Sequence, residues 1–277
     1  MTSDTPPVAS PTADTASEPF PTAAMLLAEA PRLPESVVRS LGRPLEEALG
    51  LAISYSLLIA ETNRQFNLTA IRQPREIFEK LVLESWAYLP ELMAHSRNLG
   101  RSNGGPDAPP MPLNLLDIGS GSGIPGIPLA IAQPSWRVAC LEATRKKAEF
   151  IERAARTLGL DGVRVLNARS EQLAHQREHR ERYDAAVLRL VGSMPECCEL
   201  GLPFLRPMAW LLVSRFTRAE AEKDATDATK AARELGGDTV EIRLAPFDRH
   251  LLAVQKVNGT PRRYPRLPGT PKSRPLR

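Results

Sequence analysis

The stretch Leu113-Asn114-Leu115-Leu116-Asp117-Ile118-Gly119-Ser120-Gly121-Ser122-Gly123 limits what this chain can become more than any other. A short apolar run reaches a carboxylate and then drops into three glycines spaced two apart. The run predicts a buried strand, and the glycines predict the turn that leaves it. Glycine reaches left-handed backbone conformations and lets a ligand approach the main chain without a Cβ in the way. Asp117 falls where strand meets turn, at the carboxyl edge of a parallel sheet, where ligands of open α/β folds bind.

Two nucleotide chemistries compete for this turn. Gly121-Ser122-Gly123-Ile124-Pro125-Gly126 also fits GxGxxG, the dinucleotide fingerprint. A dinucleotide site begins its glycines at the strand end and passes directly into a helix whose N–H groups hold pyrophosphate. Here Asp117 and Gly119 come first, and Pro125 and Pro128 are expected to delay a regular helix. A ligand that carries an ammonium group and no phosphate suits Asp117 better, which describes S-adenosylmethionine.

Downstream, strands and helices alternate. Strands are predicted at 136–141, 163–166, 183–188 and 208–213, and a closing pair at 239–244 and 250–256. Helices fall at 144–158, 195–205 and 217–235, with Gly159 as a stop for the first of them. This alternation specifies an α/β fold, a doubly wound, mostly parallel seven-stranded sheet with an antiparallel edge pair. The sheet domain spans residues 113–257.

Residues 1–34 are rich in Pro, Thr, Ser and Ala, and are expected to be a disordered extension. They do not read as a signal peptide, because no basic start precedes an apolar core. Within residues 35–95, Leu41, Leu45, Leu49, Ile53 and Leu57 recur at helical spacing, and a second helix is predicted from Pro74 towards Tyr88. These form an N-terminal helical cap. Residues 96–112 are polar and rich in Gly and Pro, which predicts a linker. No apolar run is long enough to cross a bilayer. Three cysteines, two of them adjacent, give neither a disulfide framework nor metal-ligand spacing. A monomer without metal in a reducing cytoplasm is the expectation.

The tail, residues 258–277, carries Arg262, Arg263, Arg266, Lys272, Arg274 and Arg277 with no acid, against a net charge of +4 for the whole chain. Its prolines at 261, 265, 268 and 271 favour an extended shape. Arg262, Arg263, Arg266 and Lys272 are candidates for contact with a phosphate-rich partner. Pairing with the protein's own acidic surface is the alternative.

Four strand ends bring polar residues to one edge: Asp117, Glu142, Ser170-Glu171 and Arg189. Glu142, at the end of the second strand, can accept both hydroxyls of a ribose. Glu171 lies where an adenine edge would lie, or is a helix N-terminal carboxylate facing the macrodipole.

In combination these pieces resemble the ribosomal RNA small subunit methyltransferase G family, also called glucose-inhibited division protein B. The resemblance rests on Asn67-Leu68-Thr69-Ala70-Ile71, on Leu116 to Ala130 with its Gly-Ile-Pro-Gly-Ile-Pro string, and on Lys146-Lys147 with Phe150. It continues through Leu158-Gly159-Leu160, Arg169 with Glu171, Tyr183-Asp184, His250-Leu251-Leu252 and Tyr264 to Lys272. It implies a class I, Rossmann-like, S-adenosylmethionine-dependent methyltransferase that modifies N7 of a guanine in 16S ribosomal RNA of the small subunit. It places cofactor contacts on Gly119, Ile124, Ser170, Glu171 and Arg189, in addition to Asp117, Gly121, Gly123 and Glu142 from the residues themselves. The family pattern has a His where Leu81 stands and Asp-Ser where Glu84-Ser85 stands. It also has an Asp at the position of Glu142, and Ser-Arg-Ala at Leu188-Arg189-Leu190. A non-catalytic RNA-binding protein and an NAD-dependent oxidoreductase are the rival readings.

Overall fold

The structure, a computed structural model, describes residues 22–189 and 192–276. Its strands are β1 (Asn114–Ile118), β2 (Arg137–Leu141), β3 (Val163–Leu166), β4 (Tyr183–Arg189), β5 (Leu205–Arg215), β6 (Gly237–Ala245) and β7 (Arg249–Lys256). They form one sheet in the order β3-β2-β1-β4-β5-β7-β6. The first five run parallel, and β7 inserts antiparallel between β5 and β6. β1 and β4 lie at the centre with both faces covered, so they read as continuous apolar runs (Leu115, Leu116 and Ile118; Ala185 to Leu188). β6 is the exposed edge, and most of its residues face solvent wholly or in part.

The helices in chain order are α1 (Ala23–Ala28), α2 (Glu35–Val38), α3 (Leu45–Asn63), α4 (Pro74–Glu76) and α5 (Leu89–Gly104). A π-helical turn (Ile77–Val82) and a 3-10 stretch (Leu83–Tyr88) join α4 to α5 in one helical run. Then follow α6 (Gly126–Ala132), α7 (Arg145–Thr157), α8 (Ser170–Leu173), α9 (Met194–Gly201), α10 (Arg218–Glu234) and α11 (Thr270–Ser273). One face of the sheet packs with the cap, where Tyr55, Phe78, Trp86 and Leu92 join Leu115, Ile127 and Phe150. The other face packs against α9 and α10, with Leu116, Leu188, Cys197, Cys198, Phe204 and Tyr264. Buried polar tips tie cap to sheet: Trp86 Nε1 donates to Pro128 O at 2.8 Å and Tyr88 Oη donates to Leu188 O at 2.7 Å.

Three boundaries differ from those the sequence suggests. The expected disorder of residues 1–34 is corrected for the part described: α1 forms under a Thr22 cap and buries Leu26, and Leu33 is buried as well. Residues 1–21 lie outside the described residues. The expected linker 96–112 is half helix, since α5 runs on to Gly104 and stops at Gly105, whose φ is +93°. Its buried stripe of Leu92, Met93, Ser96, Leu99 and Gly100 repeats at helical spacing. Gly100 is there because the returning chain crosses it: a Cβ would stand 2.1 Å from Pro109 O. The tail is not a free extended arm either. Tyr264, Pro265 and Pro271 are buried, and Arg266 reaches Glu199 on α9.

Candidate active site

The strand order reverses between β1 and β4, so the connections leaving their carboxyl ends diverge and open a crevice. The glycine turn occupies that point. Gly119, Gly121 and Gly123 have φ of +73°, +59° and +84°, a region closed to most side chains. Gly119 and Ser120 both donate their N–H to Leu141 O of β2, at 2.9 and 3.1 Å. From the cap, Tyr55 Oη donates to Ser122 O. A Cβ on Gly123 would lie 2.5 Å from that hydroxyl, whereas one on Gly121 would meet nothing nearer than 3.9 Å. Gly123 is thus a packing glycine, and Gly121 a conformational one beside open space.

Two carboxylates suspend the turn. Asp117 is fully buried; its Oδ2 accepts the Gly126 N–H at 2.8 Å and its Oδ1 has no partner among the described residues. Burial pushes its carboxyl up to about 7, restrained by the Gly126 amide and the Ser120 hydroxyl. Glu142 takes the Gly121 N–H on Oε2 at 2.9 Å and the Thr144 N–H on Oε1 at 2.6 Å. Each of its oxygens keeps a lone pair for a further donor. Helix α6 begins at Gly126 directly after the turn, with Pro125 as N-cap and Pro128 inside the first turn. The expectation that these prolines delay the helix is corrected: in a first turn they forfeit no intrahelical bond, because those N–H groups have no partner anyway.

The other sequence candidates reach the same edge with their side chains turned elsewhere. Ile124 is buried, and its N–H donates to Ser120 O at 2.9 Å. Ser170 Oγ donates to Leu200 O at 2.8 Å, and Glu171 Oε1 accepts the Gly269 N–H at 2.9 Å. Both side chains fasten α9 and the tail to this edge. Arg189, at the end of β4, is pinned to the cap. Its guanidinium donates to Leu81 O at 2.8 Å, Ser85 Oγ at 3.2 Å, Lys80 O and Glu84 Oε2 at 3.1 Å. The π-helical turn at Ile77–Val82 departs from the regular helical hydrogen-bond spacing, and Arg189 takes up carbonyls from it. Arg249 Nη2 reaches the same Glu84 oxygen at 2.5 Å, so one carboxylate holds two guanidiniums between cap and sheet. Burial, with Arg249 close by, lowers the Arg189 pKa from its ordinary value.

Residues 49–251 match the family described as rRNA small subunit methyltransferase G. The chain belongs to the rRNA small subunit methyltransferase G family. The relative from Trichormus variabilis is 36% identical over 79% of this chain and 86% of its own length. That from Deinococcus deserti is 34% identical over 90% and 97%, and that from Rubrobacter xylanophilus 37% identical over 83% and 85%. All three bear the name ribosomal RNA small subunit methyltransferase G. The stretch matching the methyltransferase G family contains the glycine turn, Glu142, Arg189 and Arg249, and stops before the tail. Leu190, where the family pattern has Ala, lies outside the described residues. Leu81, where it has His, is a core side chain whose carbonyl serves Arg189.

Tyr55, Glu84 and Arg249 also meet this edge, and the sequence reading did not place them there. Tyr55 lies on the helix that was read as a core stripe. Glu84 was marked only as a departure from the family pair. Arg249 carries no local signal, because its carboxylate partner, Glu84, stands 165 residues away in the cap. Of the tail cations, Arg266 is clamped to the fully buried Glu199 and Arg263 pairs with Glu234 at 3.3 Å, while Arg262 and Lys272 are exposed. The tail folds back because a buried carboxylate on α9 demands a cation.

Proposed function

We propose that this chain transfers a methyl group from S-adenosylmethionine to N7 of a guanine in the 16S RNA of the small ribosomal subunit. The observation that carries the reading is the glycine turn suspended between Asp117 and Glu142 where the sheet order reverses, in a chain of the methyltransferase G family. The residues suit that cofactor. The orphaned Asp117 Oδ1 favours a cation, Gly121 faces open space, and Glu142 has spare acceptor capacity for ribose hydroxyls.

When bound, the cofactor supplies an electrophilic methyl on a sulfonium. Guanine N7 meets it with an in-plane lone pair and no proton, so the reaction asks for no general base. The chain's task is then to align nucleophile and leaving group, which is positional catalysis. Arg189, Glu84 and Arg249 fix the cap against the end of β4, and so fix the wall against which a flipped base would rest.

The test is incubation of 16S RNA and of small subunits with enzyme and cofactor, then borohydride and aniline cleavage read by primer extension. One enzyme-dependent stop at a guanine is the expected result. Calorimetry should show cofactor binding that Gly121→Val abolishes, since a β-branched residue cannot hold φ of +59°. No stop on any RNA substrate despite confirmed cofactor binding would favour the non-catalytic RNA-binding reading. Binding of NAD in place of the cofactor would favour the oxidoreductase.

A further inference from the structure

The amino ends of the strands carry a cluster of cations that the site at the carboxyl ends does not use. His175, Arg177, Arg180, Glu181, Arg182 and Arg262 line a cleft of about 440 Å³. Arg182 directly precedes β4 and Arg189 ends it, so cleft and crevice stand about 20 Å apart at 3.3 Å per residue.

The cleft is built by the docked tail. Arg180 donates to the carbonyls of Ala174 (3.1 Å), Tyr264 (2.9 Å), Thr260 (2.7 Å) and Pro261 (3.2 Å), which straps residues 260–264 to the loop ahead of β4. Glu181 Oε1 accepts the Thr260 N–H at 3.0 Å, and His175 Nε2 lies 2.8 Å from Pro265 O. These contacts deliver Arg262 to Arg177 and Arg182, some eighty residues earlier in the chain. Among the described residues, the guanidiniums of Arg177 and Arg262 have no hydrogen-bond or ion-pair partner, and Arg182 has only a 3.3 Å contact to Arg177 O.

Some exposed arginines elsewhere pair with a glutamate four residues away, as Arg39 does with Glu35 and Arg145 with Glu149, and others, such as Arg97 and Arg137, stand singly among the described residues; in the cleft several guanidiniums line one concave surface. The lining sets four guanidiniums, Arg177, Arg180, Arg182 and Arg262, against one carboxylate, Glu181, so the cleft keeps a net positive charge. Burial, and secondarily the charge of Arg262, lower the Arg180 pKa from its ordinary value.

We infer that this cleft is an anchoring site for a phosphodiester of the RNA substrate, remote from the methyl-transfer crevice and read by Arg177, Arg182 and Arg262. The inference rests on the function proposed above. Guanidinium forks match phosphate oxygens in pairs and contact the backbone without reading sequence. Such an anchor fixes a large RNA in orientation while the crevice and cap choose the base.

The test compares the full chain with the triple variant Arg177→Gln, Arg182→Gln, Arg262→Gln. All three side chains are exposed, so the melting temperature should hold, and calorimetric cofactor binding should be unchanged. Affinity for 16S RNA should fall about tenfold at moderate salt, and the slope of log K against log salt should flatten by about two to three. In methylation kinetics KM for RNA should rise while kcat and the modified guanine stay the same. A triple variant with unchanged affinity and slope overturns the anchor. Tight calorimetric binding of inorganic phosphate, lost in the variant while RNA affinity is retained, assigns the cleft to a free anion and also overturns it. Failure of the unaltered chain to bind RNA brings down the proposed function and this inference together, whereas binding without methylation brings down the proposed function alone. Success of the unaltered chain with an indifferent variant brings down the inference alone.

Discussion

Substitution Arg266→Met tests whether the tail is a structural strap. Glu199 is a fully buried side chain on α9, and Arg266 is 27% exposed. Arg266 meets it with Nε at 2.9 and 3.1 Å and Nη2 at 2.6 Å, and the Arg266 backbone N–H adds a bond at 2.8 Å. Removing one member of a buried pair strands the other charge and costs about 3–5 kcal/mol. Because water reaches part of Arg266, the lower end applies, about 3 kcal/mol. At about 2–4 °C per kcal/mol for a chain of this size, the melting temperature should fall by roughly 6–12 °C.

The double variant Arg266→Met, Glu199→Gln keeps an acceptor for the backbone N–H and removes the stranded charge. It should recover all but about 1 kcal/mol of the loss. Calorimetric or urea melts of the four species close the cycle. A fall of less than about 2 °C for Arg266→Met would refute the strap. The tail cations would then be available as the phosphate-tracking arm that composition alone suggests.

Two further predictions concern the glycine turn. The Asp117 carboxyl, at about 7 in the folded chain, stands above the free value of about 3.9, so folding disfavours its ionised form. The Asp117 contribution to the stability of the cofactor-free protein is therefore fullest below pH 4 and is lost as pH rises towards 7, so the difference in melting temperature between the unaltered chain and Asp117→Asn should change over that range in a pH series of melts. A difference that stays constant from pH 4 to 7 would refute the raised Asp117 pKa. Gly123→Ala places a Cβ against Tyr55 Oη and Ile127 Cγ1 at φ of +84°, and should cost about 3 kcal/mol from strain and overpacking. Gly121→Ala, at φ of +59° beside open space, should cost only about 1 kcal/mol. Equal urea midpoints for the two variants would contradict that division of roles.

The sequence determined the parts of this protein whose cause is local. The run from Leu115 to Ile118 is apolar because a central parallel strand is covered on both faces, so strand and turn show in eleven residues. The alternation after it marks the other six strands within a few residues of their observed ends, because periodicity and turn residues are short-range signals. The tertiary structure decided the partners. Composition marks residues 96–112 as a linker, but α5 continues to Gly104, because Leu99 is buried in the core and Gly100 meets the chain returning at Pro109, nine residues later. Composition likewise marks the tail as one basic arm, whereas the fold divides it. Arg266 goes to a buried carboxylate 67 residues away, and Arg262 joins arginines about 80 residues away. Glu171 and Arg189 stand at the predicted edge, yet Glu171 holds the tail and Arg189 the cap. A strand end fixes where a Cα lies; where a charged side chain points is fixed by the nearest unsatisfied group, and that group is supplied by distant sequence.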